Sequence, residues 1–392
     1  MATISSESNL HSPPAKKLKT DESQNGVEKL TKNGCNLKDE KASLSFISEK
    51  PCSGAYNEKS IDDEYFDSYA DTEVHRTMIE DHVRTDAYHK AIMQDPSFIK
   101  DKVICDVGCG SGILSMFCAQ AGAKKVYAID ASKIATQAKK VIESNGFENI
   151  ITVFEGRAED IELPEKVDVV VSEWMGYMLL YETMLPSVLH VRDKWLKPGG
   201  HMFPERATLH IALGEASWIT QYEESTYDFW VALHPMYGLE MTALADHAVA
   251  RYLEYAHVFM LPQKDVLSLP STVCDLDLNK ITTKELEVIS SSFSLSSMGS
   301  RNLNCIVCWF DVTFPGGVKI STSPDLEDTH WQNTVLPLPD MKVVQDSTVV
   351  GVLTISQHNK RSLDIKLQYK LSTSENMLHR RYRLDENCAE LE

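Results

Sequence analysis

The distribution of apolar and polar residues predicts helices and strands in alternation through the first half of the chain. The pattern is helical from Tyr65 to Gln94, and Pro96 closes it. Two buried strands follow, VICDV (103–107) and VYAID (126–130), and each leads into a helical stretch, ILSMFCAQAG and then SKIATQAKKVIESNG. ITVFEG and VDVVVSEW supply further strands, and a helix through LPSVLHVRDKWL stops at KPGG. Strands and helices in turn predict a parallel, doubly wound sheet.

The pattern changes after about residue 205. The segment SLDIKLQYKL (362–371) alternates strictly, and it places five apolar residues on one face: Leu363, Ile365, Leu367, Tyr369 and Leu371. TVVGVLTISQ and LNCIVCWFDVTF are also strand-like, whereas helical patterns are confined mainly to about 216–256. We therefore predict a second, antiparallel β-domain with a helical insertion.

The first 60 residues have a different composition. They are rich in Ser, Lys, Asn, Glu and Asp and almost free of aromatic residues, so we predict a disordered tail over 1–60. Within it, PPAKKLKTD carries Lys16, Lys17 and Lys19, a short basic cluster of the kind that acts as a nuclear import signal. A solvated charge run is the alternative. The predicted domains are then this tail, residues 61–205 and residues 206–392.

Overall composition excludes several classes of protein. No apolar run approaches the roughly 20 residues that span a bilayer, so we expect no membrane segment. The nine cysteines form no CxxC pair or Cys/His array, which favours reduced thiols over a disulfide framework or a metal site. The net charge of −18 makes direct binding to nucleic acid unexpected and favours basic partners.

A glycine-rich turn, DVGCGSG, lies between the first strand and its helix, where nucleotide-binding crevices form. It contains Gly108, and 22 residues later Asp130 ends the second strand, where a carboxylate can accept from both ribose hydroxyls. Dinucleotides favour G-x-G-x-x-G, but the spacing here is G-x-G-x-G, preceded by Asp106. An acid at that position would repel a pyrophosphate and suits the cationic sulfonium and amino group of S-adenosylmethionine. The alternative is a tight turn that binds no ligand.

Further carboxylates follow later strands. Glu159, in GRAEDIELP, stands where an acid could accept from an adenine amino group, although a solvated loop glutamate is the simpler interpretation. In SEWMGYMLLYE, Glu173 lies at the end of a strand and Glu182 is predicted to start the next helix. Carboxylates among Trp, Met and Tyr need a cationic partner, and a planar, permanently charged guanidinium fits. A glycosidase pair is the other use of two such acids, which the upstream glycine loop disfavours.

With these motifs in order, the chain resembles a type I protein arginine N-methyltransferase over about residues 60–371. The motifs are YFDSY (65–69), DVGCGSG, SEWMGY and THW (329–331), and the RTDAY and EWMGYMLLYE wording is most like the sixth subtype. The resemblance implies a Rossmann-like methyltransferase sheet followed by an antiparallel β-barrel domain, with residues 216–256 as a helical dimerisation arm. It also implies S-adenosylmethionine as cofactor and a homodimer, with packing of the arm's aromatic residues on their own domain as the alternative. The lysine cluster predicts location in the nucleus, with the cytoplasm as a second site.

The resemblance further implies the substrates and the site residues. The expected substrates are arginines of basic proteins, such as histone tails and Arg/Gly-rich segments, converted to monomethyl and asymmetric dimethylarginine. The catalytic pair would be Glu173 and Glu182. The cofactor would be held by five residues: His75, Arg84, Gly108, Asp130 and Glu159. The target arginine would be surrounded by Tyr65, Tyr69, Met78, Met184 and His330, the last paired with Asp81. By periodicity alone, the tyrosines and methionines would be core residues.

The chain departs from the family pattern at two places, and two other functions are possible for it. Asp130 stands where many relatives carry the longer Glu, and RNLNCIVCWFDVTF differs from the usual wording of its strand. An NAD-type oxidoreductase is disfavoured by the glycine spacing and by Asp106. A reader that binds arginine tails without turnover is disfavoured because every expected catalytic position is filled.

Overall fold

The structure, a computed structural model, describes residues 58–182, 184–359 and 361–385. Residues 1–57 of the tail predicted over 1–60, with its lysine cluster, therefore lie outside the described residues, whereas residues 58–60 belong to a helix. The single helical pattern predicted up to Gln94 is divided into three helices: α1 (Glu58–Ser68), α2 (Thr72–Glu80) and α3 (His82–Gln94). The division occurs at two aspartates, because the Asp71 and Asp81 side chains accept hydrogen bonds from backbone N–H groups of the helix that follows each.

The parallel sheet predicted from the alternating pattern is present. Its strands occur in the order β3-β2-β1-β4-β5, and all neighbours are parallel. The strands are β1 (Val103–Val107), β2 (Lys125–Asp130), β3 (Ile151–Glu155), β4 (Val167–Val171) and β5 (Leu196–Phe203). The connecting helices are α4 (Ile113–Gln120), α5 (Ile134–Ser144) and α6 (Leu185–Trp195). The strand order reverses direction between β1 and β4, which places a ligand crevice at their carboxyl ends.

The KPGG segment belongs to the sheet. Helix α6 ends at Trp195, as predicted, and Pro198 then lies within β5, which pairs with β4. Since β5 is the edge strand, a proline that lacks a backbone donor is tolerated there.

The second part of the chain forms two antiparallel sheets, which begin at Arg206. Six strands form the first, in the order β7-β12-β10-β6-β8 with β11 paired to β10: β6 (Arg206–Gly214), β7 (His257–Phe259), β8 (Ser271–Asp277), β10 (Arg301–Thr313), β11 (Lys319–Ser321) and β12 (Asn333–Val343). Four form the second, in the order β15-β14-β13-β9: β9 (Val288–Ser296), β13 (Thr348–Gln357), β14 (Leu363–Leu371) and β15 (Leu378–Leu384). The two sheets contribute to one hydrophobic core, which also includes the parallel sheet.

Strand β14 shows why the alternating pattern was informative. Leu363, Ile365, Leu367 and Tyr369 are buried, whereas the intervening Lys366 and Gln368 are exposed, and Leu371 at the strand end is half-buried. Alternate side chains of a strand point to opposite faces, so a half-buried sheet imposes this period. The inferred fold class, a parallel Rossmann-like sheet followed by an antiparallel β-domain, is confirmed, and the strands of the second domain are paired in two sheets.

Helices α7 (Ser217–Tyr237) and α8 (Thr242–Tyr252) form the predicted helical arm, and a short α9 (Thr283–Leu286) lies between β8 and β9. The tip of the arm is unusually apolar for a surface. Its exposed large side chains are Phe229, Val231, Met236, Tyr237, Leu239 and Leu244. Among the described residues, no helix combines the length and apolarity needed to cross a bilayer.

Candidate active site

A cavity of about 500 Å³ lies at the carboxyl edge of the parallel sheet. Residues from α1 to α3, from the loops that follow the strands and from the antiparallel domain line it. All twelve site residues inferred from the sequence line this one cavity: Tyr65, Tyr69, His75, Met78, Arg84, Gly108, Asp130, Glu159, Glu173, Glu182, Met184 and His330. The fold therefore brings together residues that lie more than 250 positions apart in the sequence, such as Tyr65 and His330.

The glycine turn after β1 forms a cradle that other residues could not form. Gly108 and Gly110 have φ angles of +71° and +53°, in the left-handed region that favours glycine. A Cβ on Gly108 would lie 2.7 Å from the Met184 side chain, and one on Gly110 would lie 2.9 Å from the His75 ring. The absence of side chains keeps this part of the cavity open to a ligand that approaches the backbone closely.

Asp106 lies fully buried at the end of β1, immediately before this cradle. Its Oδ2 accepts a hydrogen bond from Ser115 Oγ (2.7 Å), and its Oδ1 has no hydrogen-bond partner among the residues described. Burial raises the pKa of Asp106 to about 7, against the opposing effect of the Ser115 hydrogen bond. Asp106 is fully buried and is not among the residues that line the cavity, so the structure does not support the direct effect on a pyrophosphate or a sulfonium that the sequence suggested.

Asp130 ends β2 and holds the cradle from the side. Its Oδ2 accepts from Gly110 N (2.8 Å), and its Oδ1 accepts from both Ser132 N (2.8 Å) and Ser132 Oγ (2.7 Å). A carboxylate offers about four acceptor positions, so Oδ2 keeps one for a ligand hydroxyl. The shorter side chain at this position is thus bound to its own loop and still borders the cavity.

Glu159 and His75 occupy the two flanks of the cradle. Glu159 Oε1 accepts from Ser187 Oγ (2.6 Å), and Oε2 lies 3.8 Å from Arg157 Nε. His75 is buried, and its Nε2 lies 2.9 Å from Tyr69 O. Both side chains are oriented by neighbours, and Glu159 is only partly exposed, in contrast to the solvated loop glutamate that its sequence pattern alone suggested.

Arg84 and Glu173 form a buried ion pair in the wall of the cavity. The Nη2–Oε2 distance is 2.8 Å, Nε donates to the same oxygen at 2.9 Å, and both side chains are more than nine-tenths buried. Arg84 Nη1 also donates to Met78 O (3.1 Å), and Met175 N donates to Glu173 Oε1 (3.1 Å). The residue inferred to bind the cofactor carboxylate therefore contacts one of the two inferred catalytic carboxylates directly.

The prediction that Glu182 starts a helix is wrong. Helix α6 begins at Leu185, and Glu182 lies in the preceding loop with a φ angle of +54°. Met178 and Leu179 in the same loop also have positive φ angles. Such conformations cost free energy and persist only where surrounding contacts impose them, often at functional sites. Here one such contact is the hydrogen bond from Glu182 N to Arg361 O (3.2 Å), which joins the loop to the antiparallel domain.

The Glu182 carboxylate faces the aromatic wall of the cavity. Its Oε2 accepts a hydrogen bond from Tyr69 OH (3.2 Å), and the Tyr65 and Tyr69 rings are 4.7 Å apart. Burial raises the pKa of Glu182 above its ordinary value, although the Tyr69 hydrogen bond and the charge of Arg361 act in the opposite direction. Burial likewise raises the pKa values of Tyr65 and Tyr69, so both stay neutral.

The contact predicted between His330 and Asp81 is present. His330 Nδ1 lies 2.6 Å from Asp81 Oδ2, and His330 N donates to the same oxygen at 3.0 Å. Asp81 Oδ1 accepts from Arg84 N (2.9 Å), so one carboxylate joins the THW loop to the helix that carries Arg84. Burial would raise the pKa of Asp81, but these hydrogen bonds outweigh it and hold the pKa below its ordinary value.

Several residues that shape the site were not assigned a role from the sequence. Trp331 Nε1 donates to Met175 O (3.0 Å), and Tyr88 OH donates to Ser172 O (2.9 Å), so both fix the loop that carries Glu173. Trp331 lies within the THW motif and Tyr88 within RTDAY, so these two motifs could have indicated a role for both residues. Asp62 and Arg361 belong to no noted motif, and only the folded structure reveals them.

Comparison with known proteins agrees with this geometry. Residues 205–375 match the arginine methyltransferase oligomerization subdomain, and residues 39–202 match the ribosomal protein L11 methyltransferase family. Protein arginine N-methyltransferase 6 of Danio rerio is 44% identical over 313 residues, which cover 78% of this chain and 88% of the relative. Together with the cradle and the paired carboxylates, these matches define the class of protein as a methyltransferase.

Solved structures extend the comparison to the whole fold. The Trypanosoma brucei arginine methyltransferase 1 enzyme–prozyme heterotetramer with AdoHcy superposes with a TM-score of 0.75 and 32% identity, covering 81% of this chain and 100% of that one. A crystal structure of arginine methyltransferase 6 with SAH gives 0.63 and 29%, covering 76% and 100%. The chain belongs to the protein arginine N-methyltransferase family, and its cofactor is S-adenosylmethionine. The resemblance to a type I enzyme, most like the sixth subtype, is confirmed.

Proposed function

We propose that this enzyme transfers methyl groups to a terminal nitrogen of arginine side chains in basic proteins, giving monomethyl and then asymmetric dimethylarginine. The observation that carries the proposal is the cavity shared by the glycine cradle, Glu173 and Glu182. A guanidinium can pair with both carboxylates, and this pairing orients one terminal nitrogen.

The residues inferred to hold the cofactor fit an adenosyl amino acid. The cradle around Gly108 admits close backbone approach, and Asp130 keeps an acceptor position for a ribose hydroxyl. Glu159 lines the same cavity, and its proposed role is to accept from the adenine amino group. Arg84 supplies a positive charge for the amino acid carboxylate. When bound there, S-adenosylmethionine supplies an electrophilic methyl group on sulfur.

The residues of this chain then position the nucleophile. Glu182 and Glu173 attract positive charge towards the nitrogens that they contact and leave the remaining terminal nitrogen more nucleophilic. A new N–C bond forms as the S–C bond breaks, and the methylated nitrogen afterwards loses a proton. Tyr65 and Tyr69 exclude water and stack on the guanidinium plane. The His330–Asp81 pair borders the same cavity and acts as proton acceptor or as a positioning pair. Orientation and electrostatics supply most of the acceleration.

Histone tails and Arg/Gly-rich segments are the substrates that we propose. The net charge of −18 supports attraction of such basic segments by long-range steering. We expect no direct binding to nucleic acid.

The test uses labelled S-adenosylmethionine with a panel of Arg-rich peptides, and mass spectrometry identifies the products. Matched peptides with Lys in place of Arg serve as the control. Label on arginine in the first set and none in the second is the expected result. Binding of the peptides without any label transfer would favour the rival function, a reader of arginine tails. An absorbance change with a nicotinamide cofactor would favour an oxidoreductase.

We also propose that the enzyme acts as a homodimer through the helical arm. The exposed apolar side chains at its tip, Phe229, Met236 and Tyr237 among them, support this, because large exposed apolar patches mark interaction surfaces. Sedimentation of a Phe229→Ser, Tyr237→Ser variant tests it, with Val141→Ser, another exposed apolar position, as the control. A monomer for the first variant and a dimer for the control is the expected result. A monomeric wild-type chain would contradict the proposal.

Nuclear location is a proposal that rests on Lys16, Lys17 and Lys19, which lie outside the described residues. Replacing all three with Ala in a fluorescent fusion should move the protein towards the cytoplasm. If the nuclear fraction does not change, the cluster is only a solvated charge run.

A further inference from the structure

Arg361, in the loop between β13 and β14, extends from the antiparallel domain to helix α1. Its guanidinium carbon lies 3.6 Å from the centre of the Tyr65 ring, close enough for a cation–π contact. Its side chain is 16% exposed and lines the active-site cavity. A partly desolvated cation over an aromatic face is worth more than an exposed one. The contact therefore fixes the ring that forms one wall of the proposed arginine pocket.

A second contact fixes the same helix. Arg361 Nη2 donates to Asp62 Oδ1 at 2.9 Å, and the Asp62 side chain is 6% exposed. Asp62 Oδ2 also accepts from Arg157 Nη1 (2.7 Å), so its charge is shared between the two guanidinium groups. Asp62 and Tyr65 lie three residues apart on α1, and both therefore present to the same face of the helix.

The backbone of Arg361 contacts the loop that bears the catalytic carboxylate. Glu182 N donates to Arg361 O at 3.2 Å, and Arg361 Nη1 reaches Glu182 O at 3.5 Å. Glu182 has a left-handed backbone conformation, which needs such outside contacts to persist. One residue of the antiparallel domain thus contacts both the helix that carries Tyr65 and the loop that carries Glu182.

We propose that Arg361 is a positioning residue that couples the position of α1 at the cavity to the orientation of Glu182. Its contacts with Tyr65 and Asp62 fix the position of α1. Its backbone oxygen and its charge stabilise the conformation and the ionised form of Glu182. The arginine pocket needs both walls at once, because Tyr69, which directly follows α1, donates to the Glu182 carboxylate. The role rests on the proposed function of this pocket.

The first experiment separates substrate binding from cofactor binding. Arg361→Met, which removes the charge and the hydrogen bonds, should raise the KM for an Arg-rich peptide at least about 10-fold and lower kcat. This follows from the loss of a cation–π contact and a buried ion pair. The S-adenosylhomocysteine dissociation constant, measured by calorimetry, should change less than about 3-fold. Equal changes in the two constants would overturn the proposal, since they would indicate a general structural role.

The second experiment uses the pH profile of kcat/KM. Burial raises the pKa of Glu182, and the charge of Arg361 opposes that shift. The groups that act on this carboxylate or border it are Tyr65, Tyr69, Tyr177, Tyr181 and Arg361. Arg361→Met should therefore move the acid limb of the profile to higher pH, whereas Arg361→Lys should leave it near the wild-type position. An unmoved limb in Arg361→Met would overturn the coupling to Glu182.

Two further variants keep the test independent of misfolding. Asp62→Asn weakens the hold on α1 without altering Arg361, so it should raise the peptide KM and leave the acid limb in place. Arg206→Met removes an ion pair with Asp275 elsewhere in the same domain, and it should change neither quantity. Hydrogen exchange should report faster exchange in residues 62–68 for Arg361→Met and Asp62→Asn only. Unchanged exchange in both would show that Arg361 does not hold the helix.

Discussion

Nη2 and Nε of Arg84 both contact Oε2 of Glu173, at 2.8 and 2.9 Å, and both side chains are buried in the wall of the cavity. This pair links the two halves of the site, because Arg84 is proposed to bind the cofactor and Glu173 the target arginine. The two carboxylates of the pocket are therefore not equivalent. Glu173 is paired directly with a guanidinium, whereas the Glu182 carboxylate accepts from Tyr69 OH and its backbone N donates to Arg361 O.

Glu182→Gln should lower turnover at least about 100-fold and leave S-adenosylhomocysteine affinity within about 3-fold of wild type, because one preorganised charge contact to the guanidinium is lost. Glu173→Gln should lower turnover by a similar factor without weakening cofactor binding, since the substitution removes the carboxylate paired with Arg84 and keeps the charge of Arg84. Single-turnover kinetics and calorimetry measure the two quantities. Near-normal turnover in both variants would show that the pocket is wrongly assigned.

Asp130→Ala should raise the cofactor dissociation constant about 10- to 150-fold without changing the methylated product. Hydrogen bonds to a charged acceptor are worth about 1.5–3 kcal/mol, and the variant also releases Gly110 N and Ser132 N. Calorimetry is the measurement. Glu155→Ala is the matched control, because this carboxylate ends the neighbouring strand β3 but does not line the cavity. An unchanged affinity in Asp130→Ala would place the ribose elsewhere.

The pH dependence of kcat/KM should have an acid limb above the ordinary glutamate pKa of about 4.3. Burial raises the pKa of Glu182, and the carboxylate must be ionised to pair with a guanidinium, so activity is lost as the pH falls through this raised value. Tyr69→Phe should move the limb to still higher pH, because it removes a hydrogen bond to the ionised form. Tyr227→Phe, on the exposed arm, should not move it. A downward shift in Tyr69→Phe would contradict the assignment.

Product geometry should depend on Met78. Its sulfur lies 3.9 Å from Arg84 Nη2, and its side chain borders the cavity where the methylated nitrogen must turn for a second transfer. The wild-type enzyme should give asymmetric dimethylarginine, which fragment-ion analysis recognises by loss of neutral dimethylamine. Met78→Phe should shift the product towards monomethyl or symmetric dimethylarginine, because a bulkier ring crowds the rotation. Met93→Phe, at an exposed position, is the control. An unchanged asymmetric yield would show that Met78 does not determine the geometry.

Arg192→Met should lower the free energy of unfolding by about 2–4 kcal/mol. Arg192 Nη1, on α6, donates to the backbone oxygens of Leu278 and Ile281 at 2.8 Å each, and the variant leaves both without this buried donor. Urea denaturation measures the change. Arg301→Met is the contrasting variant, because its ion pairs are partly exposed and should be worth about 0–1 kcal/mol. Equal losses in the two variants would argue against a special role for this contact.

Local sequence was sufficient to predict most of the fold and the site residues that follow the strands. The roles of the other site residues were implied only by the resemblance to the family: Tyr65, Tyr69, His75, Met78, Arg84, Met184 and His330. The spacing of apolar residues indicates which face of each element is buried, so β1, β2 and β14 could be recognised from the sequence. The carboxyl ends of parallel strands meet at one edge of a sheet. For this reason Gly108, Asp130 and Glu173, each at or just after the end of its strand, could be expected at a common crevice.

The sequence by itself therefore determined which elements form and that the residues after the parallel strands border the crevice, because both follow from short-range periodicity and from the rules of parallel sheets. Tertiary structure alone decided the conformation of Glu182, whose positive φ depends on a contact with the antiparallel domain. It also decided the partners of Arg84 and Arg361, which lie 89 residues from Glu173 and 299 residues from Asp62. A buried guanidinium pairs with whichever carboxylate packing brings within about 3 Å, and no local pattern encodes that distance.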